Sequence, residues 1–183
     1  IVCVYTQPPK KKSRGQKILK NAVHIFSENE GIEVRTNQLS DKEEYNYFRK
    51  LKADLVVVIA YGQIIPEIYL KNPNLIFLNV HASLLPKFRG AAPIERAILN
   101  REIETGISIM KIEKKLDAGP FVKQLKVKIN KETTSGELNM KLSVLGAEAL
   151  KDSIELISSN KAKFNQQNEK DATYAKKINK IET

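Results

Sequence analysis

The sequence predicts an α/β protein built on an open, mostly parallel sheet, with an antiparallel pair in its second half. Two apolar runs, LVVVIAY and LIFLNV, read as strands covered on both faces. Helical spacing alternates with them, as a doubly wound sheet requires. Later, FVKQLKVKI alternates Leu125, Val127 and Ile129 with Lys126 and Lys128, which marks a strand with one wet face.

The elements follow in order. IVCVYT (1–6) reads as a short buried strand and Gln7 to Gly15 as a loop. From Lys17 to about Asn29, Ile18, Leu19, Ala22, Val23 and Phe26 recur at helical spacing, and Gly31 closes the run. Ile32 to Arg35 is a second short strand. Ser40 with Glu43 is a capping-box pair that opens a charged helix to about Lys52. Leu55 to Tyr61 and Leu75 to Val80 are the two buried strands, separated by a turn at Gly62 and a short segment after Pro66. GISIMKIE and FVKQLKVKI form the antiparallel pair. Thr134 with Glu137 is a second capping box, and the helix it starts carries an apolar stripe of Leu138, Leu142, Leu145 and Ala149. Past Ser158 the chain turns polar and reads as a linker.

Composition narrows the function classes. Hydrophobic residues make up 42% of the 183, enough for a folded core. The longest wholly apolar run, Leu55 to Tyr61, is too short to span a bilayer, so no membrane partner is expected, and no secretory signal is visible. One cysteine, Cys3, excludes an internal disulfide and a thiolate-rich metal site; it reads as a buried, inert thiol, consistent with a cytoplasmic protein. The net charge is +10, and residues 1–20 alone hold six Lys or Arg and no acid. Such a concentration fits a polyanionic partner or a solvated surface, and charge alone leaves both open.

Chemistry concentrates at one sheet edge. Open α/β sheets place their sites beyond the carboxyl ends of strands. The second buried strand ends in Asn79, Val80 and His81, and residues two apart in a strand share a face. A lone strand-end histidine is more often structural, but an amide on the same face tips His81 toward function, whereas His24, inside a helix, reads as structural. Asp117 lies in LDAG, between the two later strands; alone it would be a turn residue. No metal is expected, since the two histidines lie apart and no carboxylate cluster appears. No G-x-G-x-x-G or Walker loop is present either.

These residues carry a resemblance. NVHASLLPKFRGAAPIERAI (79–98) resembles the core of the methionyl-tRNA formyltransferase family, and VYTQP with SRG, VVVIAYGQIIP, ETGISIM, LDAG, TSGELNMKL and TYAKKINK fit it in the same order. The resemblance implies a Rossmann-like sheet of the formyltransferase type and formyl transfer from 10-formyltetrahydrofolate, a co-substrate, to the α-amine of methionyl initiator tRNA by a monomer. The family's catalytic Asn, His and Asp fall on Asn79, His81 and Asp117. Folate is expected against Ser83, Leu84, Leu85 and Pro86 and against Ala60, Tyr61, Gly62 and Ile64. The basic segment with Lys10, Lys11, Lys12, Arg14 and Lys17 is expected to grip tRNA. The resemblance also implies that residues 1–160 are the catalytic domain without its first strand, and that 161–183 lead toward a C-terminal β-barrel.

Two alternatives share the trio. One is a formyltransferase for an amino sugar nucleotide or glycinamide ribonucleotide. The other is an inactive nucleic-acid-binding fragment.

Overall fold

The computed structural model describes residues 1–12 and 17–182, which fall into two units: Ile1–Val56 with Ala60–Ile76, and Val57–Ile59 with Phe77–Thr183. In the first unit, β1 (Val4–Tyr5) pairs in parallel with β4 (Val34–Arg35). β1 is shorter than IVCVYT promised, because Ile1 and Val2 are exposed and only Val4 and Thr6 donate to the neighbouring strand. Lys10–Lys12 (β2) and Lys17–Leu19 (β3) form an antiparallel pair, with Lys10 opposite Leu19. Strand therefore stands at Lys10–Lys12, where a loop was expected, and at Lys17–Leu19, where a helix was expected to begin. The helix α1 spans Ala22–Asn29, because Asn21 caps it by accepting the His24 amide at 2.9 Å. Asn21 also donates to Thr6 Oγ1 and the Gln7 carbonyl. That tether turns His24 and Ser27 inward and leaves Val23, Ile25 and Phe26 exposed, contrary to the apolar stripe read from the sequence.

The second helix, α2 (Lys42–Lys50), has Asp41 at its N-cap and no side-chain cap bond, so the Ser40–Glu43 box does not form. Glu44 turns inward instead, drawn by Arg35 at the end of β4. It accepts from Arg35 Nε and Nη2, Tyr5 Oη and Asn37 Nδ2. These donors, Arg35 foremost, hold the Glu44 carboxyl below its ordinary range. Above this cluster Tyr69, on α3 (Glu67–Leu70), meets Tyr45 and Phe48 edge-on, at centroid distances of 5.0 and 4.9 Å. Cys3 is half-buried, and burial pushes its thiol up to about 11, which keeps it protonated and inert.

A four-stranded sheet, ordered β5-β6-β8-β9, anchors the second unit. Its edge strand β5 is Leu55–Val58, shorter and less covered than LVVVIAY suggested. It stops where Ala60 takes a φ of 46°. β6 (Ile76–His81) runs antiparallel to β8 (Glu104–Lys111), and β8 antiparallel to β9 (Phe121–Lys128) as expected. Between β6 and β8 lie β7 (Arg89–Gly90) and α4 (Pro93–Leu99), whose Pro93 suits the first helical turn. The capping box of Thr134 and Glu137 forms and opens α5 (Ser135–Ser158). Leu138, Leu142, Gly146, Ala149 and Ser153 face inward; Gly146 admits Val80, whose Cγ1 would lie 3.1 Å from an added Cβ. The core around them is Leu78, Ile107, Ile109 and Met110.

Residues 161–182 pack closely. β10 (Tyr174–Ala175) pairs in parallel with β7, Gln167 and Ala175 are buried, and Arg96 on α4 binds the Lys176 carbonyl and Glu182. Polar composition concealed this because the segment is held by hydrogen bonds rather than by apolar spacing. Among the described residues, no helix is long and apolar enough to cross a membrane, and no group of His, Cys, Asp or Glu could hold a metal ion.

Candidate functional site

Asn79 and His81 leave β6 on one face, opposite Met110 and Ser108 of β8. His81 is buried, and its Nε2 donates to the Phe88 carbonyl at 2.9 Å. That bond assigns the second proton position: Nδ1 is the free ring nitrogen, and it faces Asp117 Oδ2 at 3.8 Å. Asp117 sits between β8 and β9 with a φ of 46°, a left-handed conformation that aspartate tolerates better than most residues. Its Oδ2 accepts the Gly90 amide at 2.8 Å. The loop from Phe88 to Gly90 therefore holds the ring and the carboxylate from one side. Asn79 is half-buried, and its side chain has no hydrogen-bond partner among the described residues, so its amide remains available.

Glycines make the close approaches possible. A Cβ on Gly119 would lie 2.0 Å from the Lys111 carbonyl oxygen, so LDAG folds this tightly only with glycine there. Gly90, at a φ of 114°, would bring a Cβ to 2.9 Å from the Ala175 carbonyl.

Ser83 to Pro86 form a locked loop. Their four carbonyls accept, in order, from Ser108 Oγ, the Lys87 amide, Gln124 Nε2 and the Thr173 amide. Leu85 N donates to Ser108 Oγ at 3.0 Å. With its carbonyls engaged, this loop offers a rigid wall more than a row of free polar groups. In the first unit, the Tyr61 carbonyl accepts from Gln7 Nε2 at 2.8 Å, Gly62 turns at a φ of 74°, and Ile64 is 92% exposed. Lys10 and Lys11 stand exposed on the β2–β3 pair, Lys12 and Lys17 are partners in its register, and Arg14 lies outside the described residues.

Several partners escaped the sequence reading. Ser108 had a signal, as a polar residue inside the apolar run ISIM, whereas Gln124 shares the face of Lys126 and Lys128 that the alternation marks as wet. Thr173 and Gln167 had none beyond a polar tail. Arg89, wholly buried, is held by Gln167 Oε1 and Glu169. Together with the Arg89 amide on the Thr173 carbonyl, this fastens the tail to the loop that supports His81 and Asp117.

Among solved structures, phosphoribosylglycinamide formyltransferase from Anaplasma phagocytophilum superposes with a TM-score of 0.76 at 21% identity, over 92% of this chain and 82% of that one. A 4-N formyltransferase from Francisella tularensis gives 0.74 at 20% identity, over 96% and 65%. At such identities the likeness is one of fold. In sequence, the chain is 50% identical over its whole length to methionyl-tRNA formyltransferase of Pelagibacter ubique, and 46% identical to that of Dictyoglomus thermophilum. It spans 59% of the length of each. Residues 1–154 match the formyl transferase family, a stretch that contains β6, the Phe88–Gly90 loop and the turn that carries Asp117; the chain belongs to that family.

Proposed function

We propose that the chain carries the reaction site of a methionyl-tRNA formyltransferase, acting in the cytoplasm, which moves a formyl group from 10-formyltetrahydrofolate to the α-amine of methionine on initiator tRNA. The observation that carries this reading is similarity along the entire chain to proteins of that name. The fold neighbours, at 20–21% identity, speak to the fold and not to the acceptor.

The donor supplies an electrophilic formyl carbon on a nitrogen that leaves with a proton. A carbon–nitrogen bond forms at the methionine amine, the bond to folate N10 breaks, and the amine's proton ends on N10. The chain's residues serve the oxygen on which negative charge develops and the proton in transit. Asn79, with its amide uncommitted, donates to that oxygen. His81 has Nε2 fixed on Phe88, so Nδ1 is its working atom: it takes the amine proton, directly or through a water, and the resulting N–H donates to the oxygen. Asp117, at 3.8 Å, is placed to balance the imidazolium charge. Folate is read against Ser83 to Pro86, whose engaged carbonyls give it a rigid wall. Lys10, Lys11, Lys12 and Lys17, with Arg14, supply cations for tRNA phosphates. Residues 1–160 serve as the catalytic domain, with 161–183 as its way out, fastened to it through Arg89 and Arg96.

The test offers the chain 10-formyltetrahydrofolate with methionyl-tRNA, an amino sugar nucleotide or glycinamide ribonucleotide, and follows formyl into each. Formylated methionyl-tRNA is expected. Preferential formylation of either other acceptor, or tRNA binding with no transfer to any, would overturn the reading.

A further inference from the structure

One residue of the polar tail reaches the candidate site from behind. Gln167 is buried, and both functions of its amide are committed. Its Nε2 donates to the Asp117 carbonyl at 2.9 Å and to the Gly119 carbonyl at 2.7 Å, the two carbonyls that flank Ala118. Its Oε1 accepts from Arg89 Nε at 3.0 Å and Nη2 at 2.8 Å. We propose that Gln167 is a positioning residue for Asp117 and, through the loop at Arg89, for His81; this rests on reading the site as the place of formyl transfer.

The physical case begins with the backbone of Asp117. A residue held at a φ of 46° keeps that conformation only while its surroundings enforce it. The direction of the side chain follows from it, and with it the 2.8 Å bond to Gly90 and the 3.8 Å approach to His81. Gln167 closes the turn with two donors aimed at the carbonyls on either side of Ala118, a match that a single donor cannot reproduce. From the other end of the same amide, Arg89 is fixed between Phe88, whose carbonyl orients His81, and Gly90, whose amide holds Asp117. A single side chain thus sets the spacing of the two loops that frame the pair. The Glu169 carboxylate, by contrast, accepts from Arg89 Nη1 and Nη2 and from Lys115 and makes no bond to the Asp117 turn among the described residues; its side chain is largely exposed.

That contrast separates positioning from mere anchoring. Gln167→Glu keeps an acceptor for Arg89 and removes both donors to the Asp117 turn. Glu169→Gln removes the negative charge that faces Arg89 and leaves the Gln167 bonds intact. Three readouts apply to the wild type and both variants: kcat and KM for formyl transfer, hydrogen exchange at the Gly90 amide, and the thermal midpoint. For Gln167→Glu, kcat is expected to fall roughly 10- to 100-fold with KM for either substrate within about threefold, as a displaced reacting group requires. Gly90 exchange is expected to quicken while that of Ile109, in the sheet, does not. Glu169→Gln is expected to keep wild-type kcat and Gly90 exchange. Unchanged kcat and Gly90 exchange in Gln167→Glu, or equal losses in both variants, would overturn the proposal. Should Gln167→Glu not fold, the wild type still decides: its two Nε2 hydrogens are expected as separate, slowly exchanging signals, and averaged, fast-exchanging ones would refute the clamp. Absence of formyl transfer in the wild type would strike the functional reading alone, since Gly90 exchange still reports on the positioning.

Discussion

His81 and Asp117 meet across 3.8 Å, Nδ1 to Oδ2, and each is also bonded to the loop that connects Phe88 with Gly90. The carbonyl at one end of that loop accepts from the ring, and the amide at the other end donates to the carboxylate. Their separation is therefore set by backbone, not by a direct bond between the two side chains.

Asp117→Asn tests the charge without the shape. The amide oxygen still accepts from the Gly90 amide, so folding is expected to be preserved. Formyl transfer is expected to fall by about 10² to 10⁴, the usual cost of losing a charged partner in proton transfer. Steady-state rates beside a thermal melt check this.

The Glu44 cluster sets an acid limit on the first unit. Its folded carboxyl lies below the ordinary value of 4.5, chiefly because Arg35 hydrogen-bonds it. Such a group adds stability that is fully present above the unfolded value and is lost as pH falls through the depressed folded one. Unfolding midpoints are therefore expected to hold above about pH 4.5 and to drop below it. In Glu44→Gln that drop is expected to shrink, and at neutral pH the variant is expected to lose stability, because Arg35 is left with Glu33, a more exposed partner at 3.4 Å. Denaturant titrations across pH follow both effects.

Gly106 is irreplaceable in β8. A Cβ there would come within 2.0 Å of the Leu125 carbonyl oxygen and 2.6 Å of Leu84 Cδ2. Gly106→Ala must therefore push β9 or the Ser83–Pro86 loop aside. A loss of about 3 kcal/mol in stability is expected, with weaker folate binding beside it. Denaturation and folate titration report the two parts.

Neutralising Lys10, Lys11 and Lys12 is expected to raise KM for methionyl-tRNA and to flatten its salt dependence, while folate binding stays unchanged. Every tRNA phosphate left without its lysine lowers the salt slope by about one unit. Measurement of KM at several salt concentrations checks this.

The legible parts of the fold were those with strong periodicity or short-range chemistry. β8, β9 and α5 with its Thr134–Glu137 cap follow their patterns closely. Asn79 and His81 announced themselves because spacing in a strand fixes the shared face. Asp117 did not: its partner is the Gly90 amide, and backbone donors leave no trace in side-chain identity. The first unit misled for a related reason. Ile18 and Leu19 have helical spacing, but Asn21 caps α1 after them, and its tether to Thr6 decides which face of α1 is inside. Such long-range bonds outweigh an apolar stripe in so short a helix. The tail from 161 was opaque because Gln167, Thr173 and Glu169 hold it by polar bonds that composition reads as solvent-facing.

On the proposed reading, the Asn79–His81–Asp117 site performs formyl transfer with His81 Nδ1 as its working atom. The direct measurement is the rate of formyl transfer to methionyl-tRNA by His81→Ala beside the unaltered chain, with both shown folded by circular dichroism. A fall of about 10² to 10⁴ is expected, since both a proton acceptor and a donor to the developing charge are lost. A rate near that of the unaltered chain would contradict the account.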